Sequence, residues 1–505
     1  MNKESIYSQI IDSKTGIKIP LFKSGRTVES RYDPQKDCQR TAELQISAQT
    51  KFYIVLGVAS GILIKTILEL TKNAFVLAVE TSNADIEFLK QLKTIKDLCQ
   101  DKRVCLCTYD CIEEKIVEHY IPAFYGNLKV IEQRGWVTEN QALMTSLQEN
   151  IQNAISKVAA DFSVQSHFGK IWQHNILSNL HFIKDYNFSA DTKKTAVIVA
   201  AGPSLDKTIA LLKQQQQESF IIATDTAFSI LCSYNIKPQA VVSLDGQNIS
   251  NIHFLHQKEY FSDTLFLFDL CANPSAVKKV YDNETSILFF HSGHPFARYL
   301  FLEYNLVLPE FFAGAGTVTI CAVDFAIKAG FTNIKVYGAD FAYSVGKPYS
   351  KGTYLDKLYG SKAQKSMSLE KQFSTLMFRT ELKNVDNKKH TTTVLNSYKS
   401  SFEKYLFEQG AAFFNNSDIY EIKVNTNAKP KLLKNYCPEN LNTNKIASTF
   451  TLPQEQTFEP NYFELSPKDI SLLPLISWFR YNDNKNEADF KYFYNLAINY
   501  FKKYL

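Results

Sequence analysis

The stretch Val197-Ile-Val-Ala-Ala-Gly-Pro-Ser204 decides the fold of this chain. An apolar run typical of a strand ends at Gly202, and a helical pattern begins at Leu205. A strand that feeds a helix through a glycine turn leaves backbone N–H groups at the helix N-terminus, where the partial positive charge suits a phosphate. Gly202 lets the backbone approach a ligand, and Ser204 or Asp206 can cap the helix. We therefore predict a nucleotide site here; the alternative is an ordinary strand-to-helix loop.

Five further apolar runs follow, and each ends in a polar residue. They are Phe220–Asp225, Ala240–Asp245, Thr264–Asp269, Ser286–His291 and Ile334–Asp340. Continuous apolar runs that alternate with helical stretches are typical of a parallel sheet covered on both faces. Open sheets of this kind bind ligands at the carboxyl ends of their strands. The pattern predicts an α/β protein with a Rossmann-like central domain, and a site near Asp225, Asp245 and Asp340.

A second, smaller Rossmann-like unit is predicted nearer the N-terminus. Phe52–Gly57 has the pattern of a strand, Gly61–Leu70 that of a helix, and Ala74–Glu80 that of a strand ending in an acid. This order is typical of folds that bind a nucleotide or S-adenosylmethionine. The turn Gly57-Val-Ala-Ser-Gly61 is not a full G-x-G-x-x-G pattern, however. We therefore expect this unit to serve in docking or scaffolding rather than in cofactor binding.

Composition excludes several classes of protein. The net charge of +5 arises from 56 Lys and Arg against 51 Asp and Glu, which is too mild to indicate nucleic-acid binding. None of the nine cysteines has C-x-x-C spacing, so free thiols and a reducing compartment are expected. No hydrophobic signal core follows Met1, and the longest apolar stretch, 52–64, is too short to span a bilayer. We expect a cytoplasmic protein without a membrane span.

The 505 residues should form about three domains. Shifts in composition predict four regions: an N-terminal α/β domain at 1–120, a helical connector at 121–190, the central domain at 191–424, and a linker with a helical C-terminal domain at 425–505. The connector is predicted from helical spacing in Leu143–Val158, and the linker from the Asn, Lys, Thr and Pro content of 425–460.

The central region resembles the motility accessory factor family. The blocks that carry the resemblance occur in collinear order: Ala196–Ser204, Thr224-Asp225, Ser243–Asp245, Ala313–Gly330 and Ile334–Phe341. The family consists of bacterial proteins linked to flagellin glycosylation, and its central domain is also called 6-hydroxymethylpterin diphosphokinase MptE-like. The same blocks are similar to bacterial CMP-sialic acid-dependent sialyltransferases, which carry a Gly-Pro-Ser turn and a Gly-x-Asp-Phe strand end. The likeness covers roughly residues 168–418.

The resemblance implies a donor site. The residues that it assigns to the nucleotide and donor are Gly202, Pro203, Ser204, Thr224, Asp225, Asp245, Gly316, Thr317 and Asp340. In the sialyltransferases two tyrosines of the loop after the Gly-x-Asp-Phe strand end steady the leaving phosphate. Tyr343 and Tyr349 match them here, with Lys347 and Lys351 beside them. The alternative is a pair of ordinary loop tyrosines at the surface.

The resemblance also implies a general base. The sialyltransferases carry a histidine after a polar lid and just before a helix. Here Lys388-Lys-His390 precedes the predicted helix Leu395–Leu406. Because histidine can accept a proton near pH 7, His390 is the predicted base. His291 and His294 are further candidates, and a merely solvated lid histidine is the alternative.

The implied activity is transfer of a nonulosonic, sialic-acid-like sugar from a CMP donor to Ser or Thr of flagellin or a similar surface protein. Such an enzyme must stabilise the departing phosphate and take a proton from the acceptor hydroxyl. It requires no cofactor besides its donor, although a divalent metal at Asp225, Asp245 or Asp340 stays open because no ligand spacing demands one. Two alternatives remain: a 6-hydroxymethylpterin diphosphokinase-like enzyme, and a non-catalytic flagellin-binding factor.

Overall fold

The structure is a computed structural model of the 505-residue chain. It describes residues 4–255, 258–314, 316–344, 346–385, 389–416, 418–425, 432–439, 441–452, 462, 465–483 and 489–504. Ala315, Lys388 and parts of the predicted linker therefore lie outside the described residues. The chain forms two compact units, the first comprising Met1–Lys170 with Ala447–Leu505 and the second comprising Ile171–Ile446. The division into four regions stays a prediction.

The first unit begins with a hairpin followed by a four-stranded parallel sheet. Its strands are β1 Tyr7–Asp12, β2 Lys18–Phe22, β3 Thr50–Leu56, β4 Phe75–Glu80, β5 Val104–Thr108 and β6 Asn127–Glu132. Its helices are α1 Pro34–Gln45, α2 Ile62–Leu70, α3 Asn83–Leu89, α4 Lys93–Leu98, α5 Ile112–His119, α6 Pro122–Tyr125 and α7 Arg134–Glu139, and α8 Met144–Asn179 crosses the boundary between the units. The strand order β5-β4-β3-β6 confirms the predicted small Rossmann-like unit. The sheet extends beyond residue 120, because β6 pairs in parallel with β3.

The second unit is built on an eight-stranded sheet. The strands of this unit are β7 Tyr186–Phe188, β8 Thr195–Val199, β9 Ser219–Thr224, β10 Ala240–Ser243, β11 Leu265–Asp269, β12 Ile287–Phe290, β13 Asn333–Tyr337, β14 Tyr343–Ser344, β15 Lys383–Asn384, β16 Lys389–Thr391, β17 Ala411–Asn416, β18 Ile419–Val424 and β19 Leu433–Asn435. The helices that follow α8 are α9 Leu205–Gln215, α10 Asp225–Ser233, α11 Pro274–Tyr281, α12 Pro295–Tyr304, α13 Val318–Lys328, α14 Tyr354–Gly360, α15 Leu369–Met377, α16 Thr393–Glu408 and α17 Thr443–Thr449.

The order of the large sheet is β12-β11-β10-β9-β8-β13-β18-β17. The six strands from β12 to β13 are parallel and correspond to the six predicted apolar runs. Every residue of β9 is buried, as a strand covered on both faces requires. The chain leaves β8 in one direction towards β12 and returns on its other side as β13. The carboxyl ends of β8 and β13 therefore meet at a topological switch point, where ligands bind in such sheets.

The segment 343–391, hereafter the lid, follows β13. Its strands β14, β16 and β15 form a small antiparallel sheet, and α14 and α15 lie between β14 and β15 in the chain. The C-terminal part of the first unit is helical, as predicted, with α18 Pro467–Ser471, α19 Leu473–Asn482 and α20 Phe490–Phe501. Within the described residues, no helix combines the length and apolar character needed to cross a bilayer.

Candidate functional site

The Gly-Pro-Ser turn packs against the end of β13. The N–H of Gly202 donates to the carbonyl of Gly338 over 2.8 Å, and the N–H of Ala200 donates to Tyr337 over 2.8 Å. A Cβ atom on Gly202 would collide with the carbonyl oxygen of Gly338, and one on Gly338 would collide with that of Ala200. The two glycines thus let two backbones approach each other. The space that a side chain at Gly202 would need is thus filled by the protein itself, and the contact of Gly202 with the donor stays a prediction.

The carboxylate of Asp340 occupies the N-terminal end of α9. Its Oδ2 atom accepts from the N–H of Ser204 over 3.0 Å and from the Ser204 hydroxyl over 2.8 Å. Burial raises the pKa of Asp340, while the hydrogen bonds from Ser204 and the charge of Lys389 lower it. The next N–H groups are also engaged, since Leu205 donates to Gly202 over 3.0 Å. The free N–H groups expected to hold a phosphate at this turn are therefore absent among the described contacts, and Ser204 makes no side-chain cap.

Asp206 ties the first part of the lid to the turn rather than capping α9. It accepts from the Lys347 ammonium over 3.0 Å, from the N–H of Lys351 over 2.9 Å, and from the Ser350 hydroxyl. The N–H of Ser350 also donates to Ala201 over 2.9 Å. The charge of Lys347 is thus paired within the protein, and the loop that carries Tyr349 is fixed beside the turn.

Two carboxylates lie next to each other at the ends of β9 and β10. Thr224 caps α10, and the buried Asp225 follows it. Asp225 accepts from the Ser243 hydroxyl over 2.8 Å, which joins the two strand ends. Asp245 accepts from the N–H of Gln247 over 2.8 Å. The pKa of Asp245 is raised, first by burial and then by the negative charge of Asp225, although that N–H lowers it.

A cluster of tyrosines faces these carboxylates. Tyr349 is 38% exposed. Its pKa is raised well above the usual value by burial of the hydroxyl, by the hydroxyls of Tyr354 and Tyr343, and by the charge of Asp225. Burial and the hydroxyl of Tyr398 raise the pKa of Tyr343 as well. The hydroxyl of Tyr349 thus lies among these groups, although more than a third of the side chain's surface is exposed. The structure thus unites the two predicted tyrosines with Asp225 and adds Tyr354 and Tyr398, which no motif indicated.

The N-terminus of α13 is the more open of the two helix ends predicted to bind an anion. Thr317 caps this helix by accepting from the N–H of Thr319 over 3.3 Å. Gly316 is exposed, has a φ of +69°, and a Cβ atom there would lie 3.0 Å from Cε1 of Tyr398. Among the residues that the structure describes, no acceptor is bonded to the N–H of Val318. An anion at this end would therefore lie beside the tyrosine cluster.

His390 lies directly opposite Tyr343. The two residues are paired between the antiparallel strands β14 and β16, which directs their side chains to the same face. Nδ1 of His390 lies 2.9 Å from Oδ1 of Asn384 on β15. Because an amide oxygen only accepts, this contact assigns the proton to Nδ1 and leaves Nε2 as a proton acceptor. His390 is thus oriented on a paired strand, with α16 beginning three residues later.

The two alternative histidines have structural contacts. Nδ1 of His294 caps α12 by accepting from the N–H of Phe296 over 3.1 Å, and burial lowers the pKa of His294 to about 3. Nδ1 of His291 accepts from the N–H of Gly293 over 3.3 Å, and burial lowers its pKa too. His253, which the sequence did not indicate, packs edge-on against Tyr354 with ring centroids 4.7 Å apart.

The glycine turn of the first unit is filled by the protein's own side chains. A Cβ atom on Gly57 would lie 2.7 Å from the side chain of Trp136. The carboxylate of Glu80 accepts from the N–H of Val58 over 2.7 Å, from Nε1 of Trp136 over 3.0 Å and from the hydroxyl of Tyr7 over 2.9 Å. The protein's own side chains thus surround this turn, and the scaffolding role of the unit stays a prediction.

We expect the first unit to lose stability as the pH rises from 5 to 8. Burial raises the pKa of both Glu80 and Glu29 from 4.5 to about 7. The folded state therefore keeps protons that the unfolded chain releases above pH 4.5, so stability falls up to the folded pKa and is then constant. Urea unfolding should show a decrease on the order of 5 kcal/mol over this range, about half from each carboxyl group. Glu80→Gln should remove about half of the dependence, because Glu29 still contributes, whereas the exposed control Glu132→Gln should preserve all of it; a flat profile in the parent would contradict the prediction.

The described part of the chain shows no cluster of three or more His, Cys, Asp or Glu residues arranged to hold a metal ion. Clefts of about 710 and 660 Å³ lie in the first unit, and none of the predicted site residues lines them. The contacts above instead define the candidate site, at the carboxyl edge of the large sheet.

Comparisons with known proteins agree with this architecture. The model of the 6-hydroxymethylpterin diphosphokinase MptE-like family matches residues 173–346. Two uncharacterised proteins of Treponema pallidum (strain Nichols) are similar: one is 39% identical over 147 residues, which cover 28% of this chain and 51% of that protein. The other is 30% identical over 177 residues, which cover 32% of this chain and 84% of that protein. The chain thus spans about half the length of the first of these relatives.

A solved structure, that of the MAf glycosyltransferase from Magnetospirillum magneticum AMB-1, superimposes with a TM-score of 0.56 over 98% of this chain and 91% of that one. This chain belongs to the motility accessory factor family. The family prediction made from the sequence motifs is confirmed. At 12% identity, the structural likeness of this motility accessory factor to the glycosyltransferase shows the fold alone.

Proposed function

We propose that this motility accessory factor is a glycosyltransferase that moves a nonulosonic sugar from a CMP donor to a Ser or Thr hydroxyl of flagellin or a similar surface protein. One observation carries the proposal: Tyr343, Tyr349, Asp225 and the oriented His390 gather at the carboxyl edge of the sheet, beside the open N-terminus of α13. The glycosyltransferase named among the structural neighbours has the same fold.

Each group has a role in this chemistry. The leaving phosphate gains charge as the glycosidic bond breaks, and the hydroxyls of Tyr343 and Tyr349 can donate to it. The N-terminus of α13 at Gly316 and Thr317 suits the carboxylate of the donor sugar. Asp225 and Asp245 can accept hydrogen bonds from the ribose or base. His390, with its proton on Nδ1, takes the proton of the acceptor hydroxyl through Nε2.

A second candidate is a pterin diphosphokinase-like activity. The match to the MptE-like family model favours it, as do the adjacent carboxylates of Asp225 and Asp245, which could approach a metal–nucleotide complex. Thermal unfolding separates the candidates, because a ligand at 100 times its Kd stabilises a protein by about 2.7 kcal/mol. Stabilisation by CMP would support the transferase, and stabilisation by MgATP would support the kinase. If neither nucleotide stabilises the protein, the result would support a non-catalytic flagellin-binding factor.

Tyr349→Phe should lower kcat by about tenfold to a hundredfold with little change in the KM for the donor. The hydroxyl would act mainly on charge that develops in the transition state, and the substitution keeps the aromatic ring. Tyr343→Phe should have a smaller effect, and Tyr436→Phe, at an exposed position of the same unit, is the control. Steady-state kinetics with the CMP donor measure this. A change confined to KM would instead make Tyr349 a ground-state binding residue.

A further inference from the structure

The lid carries more than the whole net charge of the protein. Residues 343–391 contain ten Lys and Arg against four Asp and Glu, a net charge of +6, whereas the rest of the chain contains 46 against 47. The positive charge behind the overall value of +5 is therefore concentrated in the lid, whereas the rest of the chain is close to neutral. This segment also carries Tyr343 and His390, two residues of the candidate site.

The basic residues of the lid fall into two groups. Two of them are neutralised near the Gly-Pro-Ser turn: Lys347 pairs with Asp206 at 3.0 Å, and Lys389 pairs with Asp418 and lies 3.8 Å from Asp340. Lys351 and a second group farther along the lid are exposed and have no ion pair with any residue that the structure describes; the second group is Lys362, Lys365, Lys371, Arg379 and Lys383. The unpaired charge therefore faces solvent, not the turn.

Apolar side chains lie exposed among these cations. Met367 is 41% exposed, Phe378 is 71% exposed and Val385 is 58% exposed. This surface does not suit a nucleotide sugar, because the charged groups of that donor would bind beside the tyrosines and the N-terminus of α13. It suits a polypeptide, since cations with interspersed apolar side chains complement acidic segments that carry apolar side chains.

We propose that the outer surface of the lid is a docking surface for an acidic segment of the acceptor polypeptide. The surface raises the local concentration of acceptor hydroxyls beside His390, because the exposed Lys383 begins β15, whose Asn384 is paired with His390 on β16. This inference rests on the proposed function, as it names the kind of acceptor that the transferase takes.

The test measures binding of a fluorescein-labelled peptide of Glu, Ser and Phe, with a peptide of Lys, Ser and Phe as its counterpart. The variant carries Lys362→Gln, Lys365→Gln, Lys371→Gln and Arg379→Gln. The matched control carries Lys36→Gln, Lys96→Gln, Lys102→Gln and Arg134→Gln, which remove the same charge from exposed positions of the first unit. We expect the lid variant to bind the acidic peptide about tenfold more weakly, the control to bind as the parent does, and added salt to weaken parent binding.

Equal weakening in both variants would overturn the proposal, as would unchanged binding by the lid variant. Binding to phosphatidylserine vesicles without binding of the acidic peptide would overturn it in favour of a membrane surface. Lys365→Gln and Arg379→Gln alone replace the fourfold variant if it fails to fold. No donor is present in this measurement, so a protein that docks the peptide but transfers no sugar would count against the proposed activity and leave the docking surface intact.

Discussion

Gly202→Ala is expected to lower the free energy of unfolding of the second unit by about 3 kcal/mol. The added Cβ atom would collide with the backbone carbonyl of Gly338 and with the carboxylate of Asp340. A side chain could rotate away, but the carbonyl belongs to the chain leaving β13, which is hydrogen-bonded to β8 on one side and β18 on the other. Relief would therefore require separation of the strands at the switch point, with loss of the bonds from Ser204 to Asp340.

Gly360→Ala is the matched control, since a Cβ atom there would meet nothing within 4 Å. Neither glycine has a positive φ, so the comparison isolates the collision from backbone strain. For a unit of this size the predicted loss corresponds to a melting temperature about 6–12 °C lower, which differential scanning calorimetry can measure. A stable Gly202→Ala protein that fails only to bind nucleotide would restore the interpretation that the glycine faces a ligand.

The sequence predicts the strands that are buried on both faces and misses those that are not. The parallel core of the large sheet follows from continuous apolar runs, which leave little choice of structure. The hairpin β17–β18 escapes prediction, because Ala411–Asn416 is mostly exposed and its apolar run ends at Phe414. β6 escapes for the same reason, as its burial is partial. Such edge strands are identified by their pairing partners, which a local pattern does not contain.

The candidate site is predicted in part for a similar reason. Tyr343, Tyr349 and His390 are assigned by their order in the chain, and β14 and β16 bring two of them into register. The packing of Gly202 against the backbone of Gly338 is not predicted, because the sequence of a close-packed glycine does not show whether its neighbour is a ligand or a distant part of the chain. Tyr398 and His253 are missed, since each lies in an element without a motif and approaches the site only through tertiary packing.

His390→Ala is expected to lower sugar transfer to flagellin by about a hundredfold or more while leaving donor and acceptor binding unchanged. The general base acts only as the acceptor hydroxyl loses its proton, so its removal should lower kcat and leave the affinities for donor and acceptor unchanged. The contact of 2.9 Å between Nδ1 and Asn384 makes Asn384→Ala informative as well. Without its amide oxygen the imidazole can take the other tautomer, which should give a smaller loss, on the order of tenfold, through the same step.

The rate of transfer by the parent should rise with pH, as general-base catalysis requires, and this ascending limb should vanish in His390→Ala. Asn396→Ala is the matched control, because it removes an amide bonded over 3.2 Å to Thr391 at the end of β16 and does not contact the imidazole. This variant should keep the ascending limb.

The same variants can be compared in cells by measuring the intact mass of flagellin that is co-expressed with a nonulosonic acid pathway. Full glycosylation by the His390→Ala protein would show that His390 is not the general base, and Asp225 or Asp245 would become the candidate. A parent that adds no mass despite a confirmed donor supply would favour a protein that binds flagellin without modifying it.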